Sequence, residues 1–298
     1  MKFLKKIKER LYNYIDYRTD ELLYRTEYQI KSAFMQHDAL KSTVPGVTDA
    51  AYASGKRLIV SLTTYDKRLY EVYLTIESIF QQTLKPNKVI LWLADDMQTT
   101  TIPLTLKMQQ KRGLEIRYCK DIRSYKKLIP TLQTYPDDII ITVDDDVIYG
   151  PDVIELLYNS YLSNPECVHC NFAREIGVNT EGIMPYTSWK TITANNFKGK
   201  TVFPVGCGGV LYPPHILAED VTDDKIFLEI CKFADDVWFK AMSLKNGYEC
   251  KTTLLDVHEH LYIDNPMWQS KGLTLTNANQ GYNDLQIKSV FNRFNIKI

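Results

Sequence analysis

Two periods of apolar residues run through the chain. Arg57-Leu58-Ile59-Val60-Ser61-Leu62, Lys88-Val89-Ile90-Leu91-Trp92-Leu93 and Ile139-Ile140-Ile141-Thr142-Val143 are short aliphatic runs. Such runs read as strands buried on both faces. Between the first two, Val72, Leu74, Ile76, Ile79 and Phe80 fall at helical spacing within residues 69–82, and Lys85-Pro86-Asn87 makes a turn. Strand, helix, strand in that order predicts a parallel sheet with a right-handed crossover. Further helices are expected over 103–113, 125–135 and 151–161, the last with Pro151 at a favoured early position. A strand is expected over 114–119. Residues 172–200 are long, polar and aromatic (Tyr186, Trp189, Phe197), which suggests an acceptor-side loop region. Asn283 and Asp284 are placed to cap a last helix over 285–291.

The first 50 residues have another character. Leu4, Ile7, Leu11 and Ile15 recur at helical spacing, with Lys2, Lys5, Lys6, Lys8 and Arg10 interleaved. Such a helix could pack on the rest of the chain or on a second copy, or lie on an anionic membrane surface. Ser42-Thr43-Val44-Pro45-Gly46 is turn chemistry. The expected organisation is therefore a helical extension over 1–50 and an α/β domain over 51–298, with a mixed, mainly parallel sheet flanked by helices.

Two acidic centres bear on chemistry. The run at 139–143 enters Asp144-Asp145-Asp146. Adjacent carboxylates repel, and burying them without a partner is costly. A strand end carrying them suits a hard cation, Mg²⁺ or Mn²⁺, with places left for phosphate oxygens. A solvated acidic turn is the other reading. The second centre, Asp235-Asp236, opens an apolar helix, where a simple N-cap is the alternative. Gly206, Gly208 and Gly209 lie within four positions and permit close backbone approach. Cys167-Val168-His169-Cys170 is half of a zinc motif without a second pair at finger spacing, and reads as buried small hydrophobes. His258 and His260 follow a strand and could bind a metal or simply end it.

With its segments in this order, the chain resembles GT-A fold, family 2-like glycosyltransferases of the bacterial surface polysaccharide type. The likeness spans about residues 56–260 and rests on Ser61-Leu62-Thr63-Thr64-Tyr65, Gln81-Gln82-Thr83, Asp144-Asp145-Asp146 and Asp235-Asp236. It implies that Thr63, Thr64 and Tyr65 line a nucleotide pocket, with Asp95 or Asp96 at base or ribose. Lys127 or Lys126 would face the diphosphate, and the loop carrying Gly208 and Gly209 would lie beside the donor sugar. Asp146 would ligate Mn²⁺ or Mg²⁺. Asp144 would do so through water or hold the ribose, and Asp145 could serve either role. His258 is a candidate to complete the metal shell. Asp236 would be the base, and Asp235 would orient it or the acceptor.

The implied reaction is transfer of one sugar from a nucleoside-diphosphate donor, a UDP-sugar by expectation, to a hydroxyl of a glycan or lipid-linked glycan, with inversion. A retaining transferase, a nucleotidyltransferase and a non-catalytic carbohydrate-binding module are the rivals. Two departures from the family pattern stand out. The first acid of the second centre is Asp235, where Glu is frequent. Gln-x-x-Arg-Trp, the mark of processive synthases, is missing, which points to single-sugar transfer.

Bulk properties narrow the classes. Lys+Arg and Asp+Glu both number 36, so no net field favours nucleic acid. The 298 residues are 45% hydrophobic and 24% charged, as in an ordinary globular protein. No apolar run approaches the roughly 20 residues that span a bilayer, and residues 1–8 lack the features of a secretion signal. The six cysteines read as reduced thiols. The expected location is the cytoplasm, with peripheral contact at the inner face of the membrane as an option for residues 1–50.

Overall fold

The computed structural model describes residues 2–253, 261–263 and 281–298. The aliphatic runs form β1 (Leu58–Thr63), β2 (Lys88–Ala94), β3 (Leu114–Cys119) and β4 (Ile139–Thr142). β1 pairs in parallel with β2 and with β4, and β2 pairs in parallel with β3. Ile139 and Ile141 pack into one apolar core, and Ile140 into the core on the other side of the sheet. With both faces covered, the strand can carry no polar alternation. β5 (Val147–Tyr149) and β6 (Cys167–Cys170) follow. Among the described residues the sheet has eight strands in the order Lys198–Gly199, Glu249–Thr252, β6, Val210–Tyr212, β4, β1, β2, β3. Strand Val210–Tyr212 runs antiparallel between β4 and β6. The expected mixed, mainly parallel sheet is therefore present.

Helices α1 (Lys2–Lys41), α2 (Tyr73–Phe80), α3 (Leu104–Gln110), α4 (Ile129–Thr134), α5 (Val153–Ser163), α6 (Asp224–Ile230) and α7 (Asp235–Lys245) flank it. The helical extension takes the form of α1, 40 residues long, or about 60 Å at the usual rise. Its C-terminal part lies against the body, where Ala39 is fully buried. Arg112 fixes that junction. It donates to the carbonyls of Asp38 (3.3 Å) and Val44 (2.7 Å) and to the buried Glu77 carboxylate at 2.8 and 2.9 Å. Tyr14, Ile15, Tyr17, Leu22 and Leu23 are exposed. Among the described residues no helix is long and apolar enough to cross a membrane.

Several local expectations change. The helix expected over 125–135 is a tight 3-10 turn, Arg123–Lys127, followed by α4, whose first turn holds Pro130. Proline is tolerated there because first-turn N–H groups have no helical partner. Asp284 does not cap the last helix, Tyr282–Arg293, which starts after Gly281 in the left-handed region. Its carboxylate instead accepts from the Tyr186 N–H at 2.7 Å. Tyr186 and Trp189 are core residues, packed on Phe203 with ring centroids 5.9 and 5.3 Å away. Their area stabilises the polar segment and is not offered to a sugar. Cys167 and Cys170 are buried thiols, and His169 between them is satisfied by Ser160 Oγ (2.9 Å) and the Asn164 carbonyl (3.0 Å).

Candidate functional site

Parallel pairing brings the carboxyl ends of β1 and β4 side by side. The loop after β1 therefore meets the acidic turn after β4. Thr64 Oγ1 donates to Asp145 Oδ2 at 2.6 Å, and Arg68 Nη1 donates to Asp145 Oδ1 at 2.7 Å. Asp145 is buried and both its oxygens are engaged. It works as the internal anchor of the turn, so the expectation that it reaches the donor fails on position. Asp144 and Asp146 are left on the open side, 31% and 29% exposed. Arg68 Nη1 also lies 3.1 Å from Asp146 Oδ2.

The antiparallel strand Val210–Tyr212 starts beside the end of β4, which sets the glycine loop against the same turn. Tyr149 joins the two. Its hydroxyl accepts from the Asp144 N–H and donates to the Cys207 carbonyl, both at 3.0 Å. The Gly206 N–H donates to Asp236 Oδ2 at 3.0 Å. A Cβ at Gly206 would fall 2.7 Å from Lys127 Nζ and 2.9 Å from Asp236 Oδ1. Gly206, and not Gly208 or Gly209, is the glycine that the site itself requires. Gly208 is needed for packing, because a Cβ there would meet the Phe172 backbone N at 2.7 Å. Gly209 has a φ of +82°, which glycine adopts without strain.

Lys127 links the two acidic centres. Its buried ammonium lies 3.0 Å from Asp144, 2.8 Å from Asp235 and 3.8 Å from Asp236. Burial opposes its charge, but the three carboxylates outweigh that and hold it well above the ordinary lysine range. Lys126, the other candidate, pairs instead with Asp121. Asp235 and Asp236 form the first turn of α7 without capping it; Ala234 is the N-cap, and no side chain caps there. The N-cap reading of this pair is thereby replaced.

Burial gives the site its acid–base character. It pushes Asp236 up to about 7; Lys127 and the Gly206 N–H pull down, while Asp235 and Asp144 push further up. Burial likewise raises Asp146 to about 7, with the charges of Asp145 and Asp144 adding and Arg68 subtracting. A carboxylate near neutrality is suited to proton transfer or to a cation that restores its charge.

The nucleotide-side candidates divide. Thr63 Oγ1 donates to the Trp92 carbonyl at 2.8 Å, and Thr64 is buried on Asp145, so both serve the scaffold. Tyr65 is 55% exposed, and the Arg68 guanidinium lies 5.5 Å from its ring centre. Asp95 and Asp96 are exposed in the turn that follows β2. His258 lies outside the described residues. Sequence reasoning missed Arg68 and Tyr149, and it named Gly206 only as one of three glycines that permit close approach. For Arg68 a signal existed, since three successive carboxylates demand a protein cation and the adjacent β1 loop carries one.

Among the described residues, no three His, Cys, Asp or Glu side chains form a ready metal cage. The donor chemistry still fits a hard divalent cation. Asp144 and Asp146 present only oxygens on the open side of the turn, and Asp146 is destabilised as an anion.

No protein-family model matches the chain, and a search of curated proteins returns no significant match. Among solved structures, it is similar to the crystal structure of S. aureus TarS 1–349, at 16% identity and a TM-score of 0.46. It is also similar to the same TarS segment in complex with UDP, at 13% identity and a TM-score of 0.47. Each match covers 80% of this chain and 71% of the other.

Proposed function

We propose that this chain is a GT-A-type glycosyltransferase that moves one sugar from a nucleoside diphosphate to an acceptor hydroxyl with inversion. The observation that carries the reading is Asp236. It is raised to about 7 and held 3.8 Å from an ammonium that also lies 3.0 Å from Asp144 of the acidic turn. One lysine thus joins a base to a diphosphate-binding edge. Five carboxylates there face two cations, Arg68 and Lys127, a formal charge of −3.

Asp146 and Asp144 would hold Mn²⁺ or Mg²⁺, which neutralises charge on a leaving diphosphate when bound. Asp236 accepts the acceptor's proton as its oxygen attacks the anomeric carbon. Lys127 keeps Asp235 and Asp236 in place and favours the charged form of Asp236. Tyr65, Asp95 and Asp96 lie on the exposed carboxyl edge where a base and ribose would rest. A UDP-sugar donor, a glycan or lipid-linked glycan acceptor, and work in the cytoplasm at the inner face of the membrane follow from the family resemblance.

Product stereochemistry tests the reading, by NMR of the new anomeric centre. Inversion is expected, and Asp236→Asn should cut transfer by about 10²–10⁴-fold while donor binding stays within about twofold. A retained configuration removes the role of Asp236. Undiminished transfer by Asp236→Asn does the same, and absence of turnover with every donor favours a binding module.

A further inference from the structure

We propose that Arg68 is the resident counter-ion of the acidic turn, and that it gives up Asp146 but keeps Asp145 when a divalent cation enters. This rests on the metal-dependent reading above. One nitrogen, Nη1, serves two carboxylates unequally, at 2.7 Å from Asp145 and 3.1 Å from Asp146. Asp145 is the more buried of the two (8% against 29% exposed) and is also held by Thr64. A buried carboxylate must keep its cation, because an uncompensated buried charge is costly. The more exposed Asp146 can exchange its cation. A divalent ion on Asp146 would sit a few ångströms from the guanidinium, and like charges at that range repel strongly.

A narrow cleft open to solvent, with free room for about one water (about 10 Å³), adjoins the guanidinium and is lined by Tyr28, Glu71, Asp145 and Asp146 among others. Because one nitrogen makes both contacts, a small shift of Nη1 is enough to lengthen the Asp146 contact while the shorter one to Asp145 is kept. Tyr28 belongs to α1, so the N-terminal helix forms one wall of this cleft. Arg68 is thus a positioning residue that keeps the triple-aspartate turn folded before the metal arrives. It also sets how tightly the metal is held, because the two compete for Asp146.

The test is a Mn²⁺ titration of full-length protein, followed by electron paramagnetic resonance of the free ion, with parallel thermal melts. Arg68→Met should bind Mn²⁺ roughly tenfold tighter or more, because the competing charge is gone. Arg68→Lys should stay within about threefold of wild type. Without metal, Arg68→Met should melt lower than wild type, and saturating Mn²⁺ should close most of that gap. A merely structural arginine would lower the melt equally with and without Mn²⁺, and unchanged or weaker binding by Arg68→Met would overturn the proposal. If wild type binds no Mn²⁺, the metal-dependent reading fails and this inference falls with it. If Arg68→Met does not fold, nitrogen-15 spectra of wild-type arginine side chains decide. The Arg68 signal should shift during a Mg²⁺ titration with the midpoint of binding, and an unmoved signal refutes the exchange.

Discussion

Consider Gly206→Ala. The added methyl would sit 2.7 Å from Lys127 Nζ and 2.9 Å from Asp236 Oδ1. Ordinary contacts are about 3.5–4.0 Å, so one of the two groups must retreat by close to ~1 Å. Neither is free to do so cheaply. Lys127 is held at 2.8 Å by Asp235 and 3.0 Å by Asp144, and Asp236 accepts from the backbone at position 206 itself. Misplacement of catalytic groups by about 1 Å costs on the order of 100-fold in rate. The strain is that of modest overpacking, about 1–3 kcal/mol. Gly208→Ala is the contrast, since its methyl meets the Phe172 main chain at 2.7 Å, which cannot turn aside. The assay is nucleoside-diphosphate release beside a thermal melt. Gly206→Ala should lose about 100-fold in kcat/KM with the smaller fall in Tm, and Gly208→Ala should show the larger fall. Full activity in Gly206→Ala would mean that Lys127 and Asp236 do not occupy working positions.

Other outcomes follow from the same geometry. Lys127→Met strands three carboxylates and should cost about 3–5 kcal/mol by denaturant unfolding; Lys127→Arg should not restore activity, because the bridge needs a compact charge. Because Asp236 lies near 7, kcat/KM should fall about tenfold per unit below that pH, and Lys127→Met should move this limb upward. Stability has the opposite sense. Asp146 and Asp236 keep protons in the folded state that the unfolded chain has lost between its ordinary carboxyl range and about 7. Metal-free protein should therefore lose stability as pH rises through that window, and a Tm rising from pH 5 to pH 8 would contradict both assignments. Arg112→Met leaves the buried Glu77 without its cation and should release α1, seen as faster amide exchange around residues 38–46.

The sheet was legible because its central strands are buried on both faces. Leu58–Thr63 and Ile139–Thr142 have no choice but continuous apolar runs. The acidic turn stood out because three adjacent carboxylates at the end of a buried strand are costly without a cation, whereas Asp235-Asp236 at a helix start was equally open to a helix-terminus reading. Three identical residues carry no register, however, so nothing in Asp144-Asp145-Asp146 said that the middle one faces inward. That became clear only from Thr64 and Arg68, 81 and 77 positions away. Lys127 looks like any surface lysine until α7 is folded against it. The burial of Tyr186 and Trp189 was not legible, because they lie at a 3-10 turn, Tyr186–Ser188, too short to show a periodic apolar face.

The most direct measurement is a screen of nucleotide sugars for slow donor hydrolysis by full-length protein, with Mn²⁺, with Mg²⁺ and with EDTA. Release of a nucleoside diphosphate from one donor is expected with metal, and its loss with EDTA and in Asp146→Ala. Release that EDTA and Asp146→Ala leave unchanged would contradict the metal role of the acidic turn. Failure of every nucleotide sugar to react or to bind in a metal-dependent way would contradict the transferase itself.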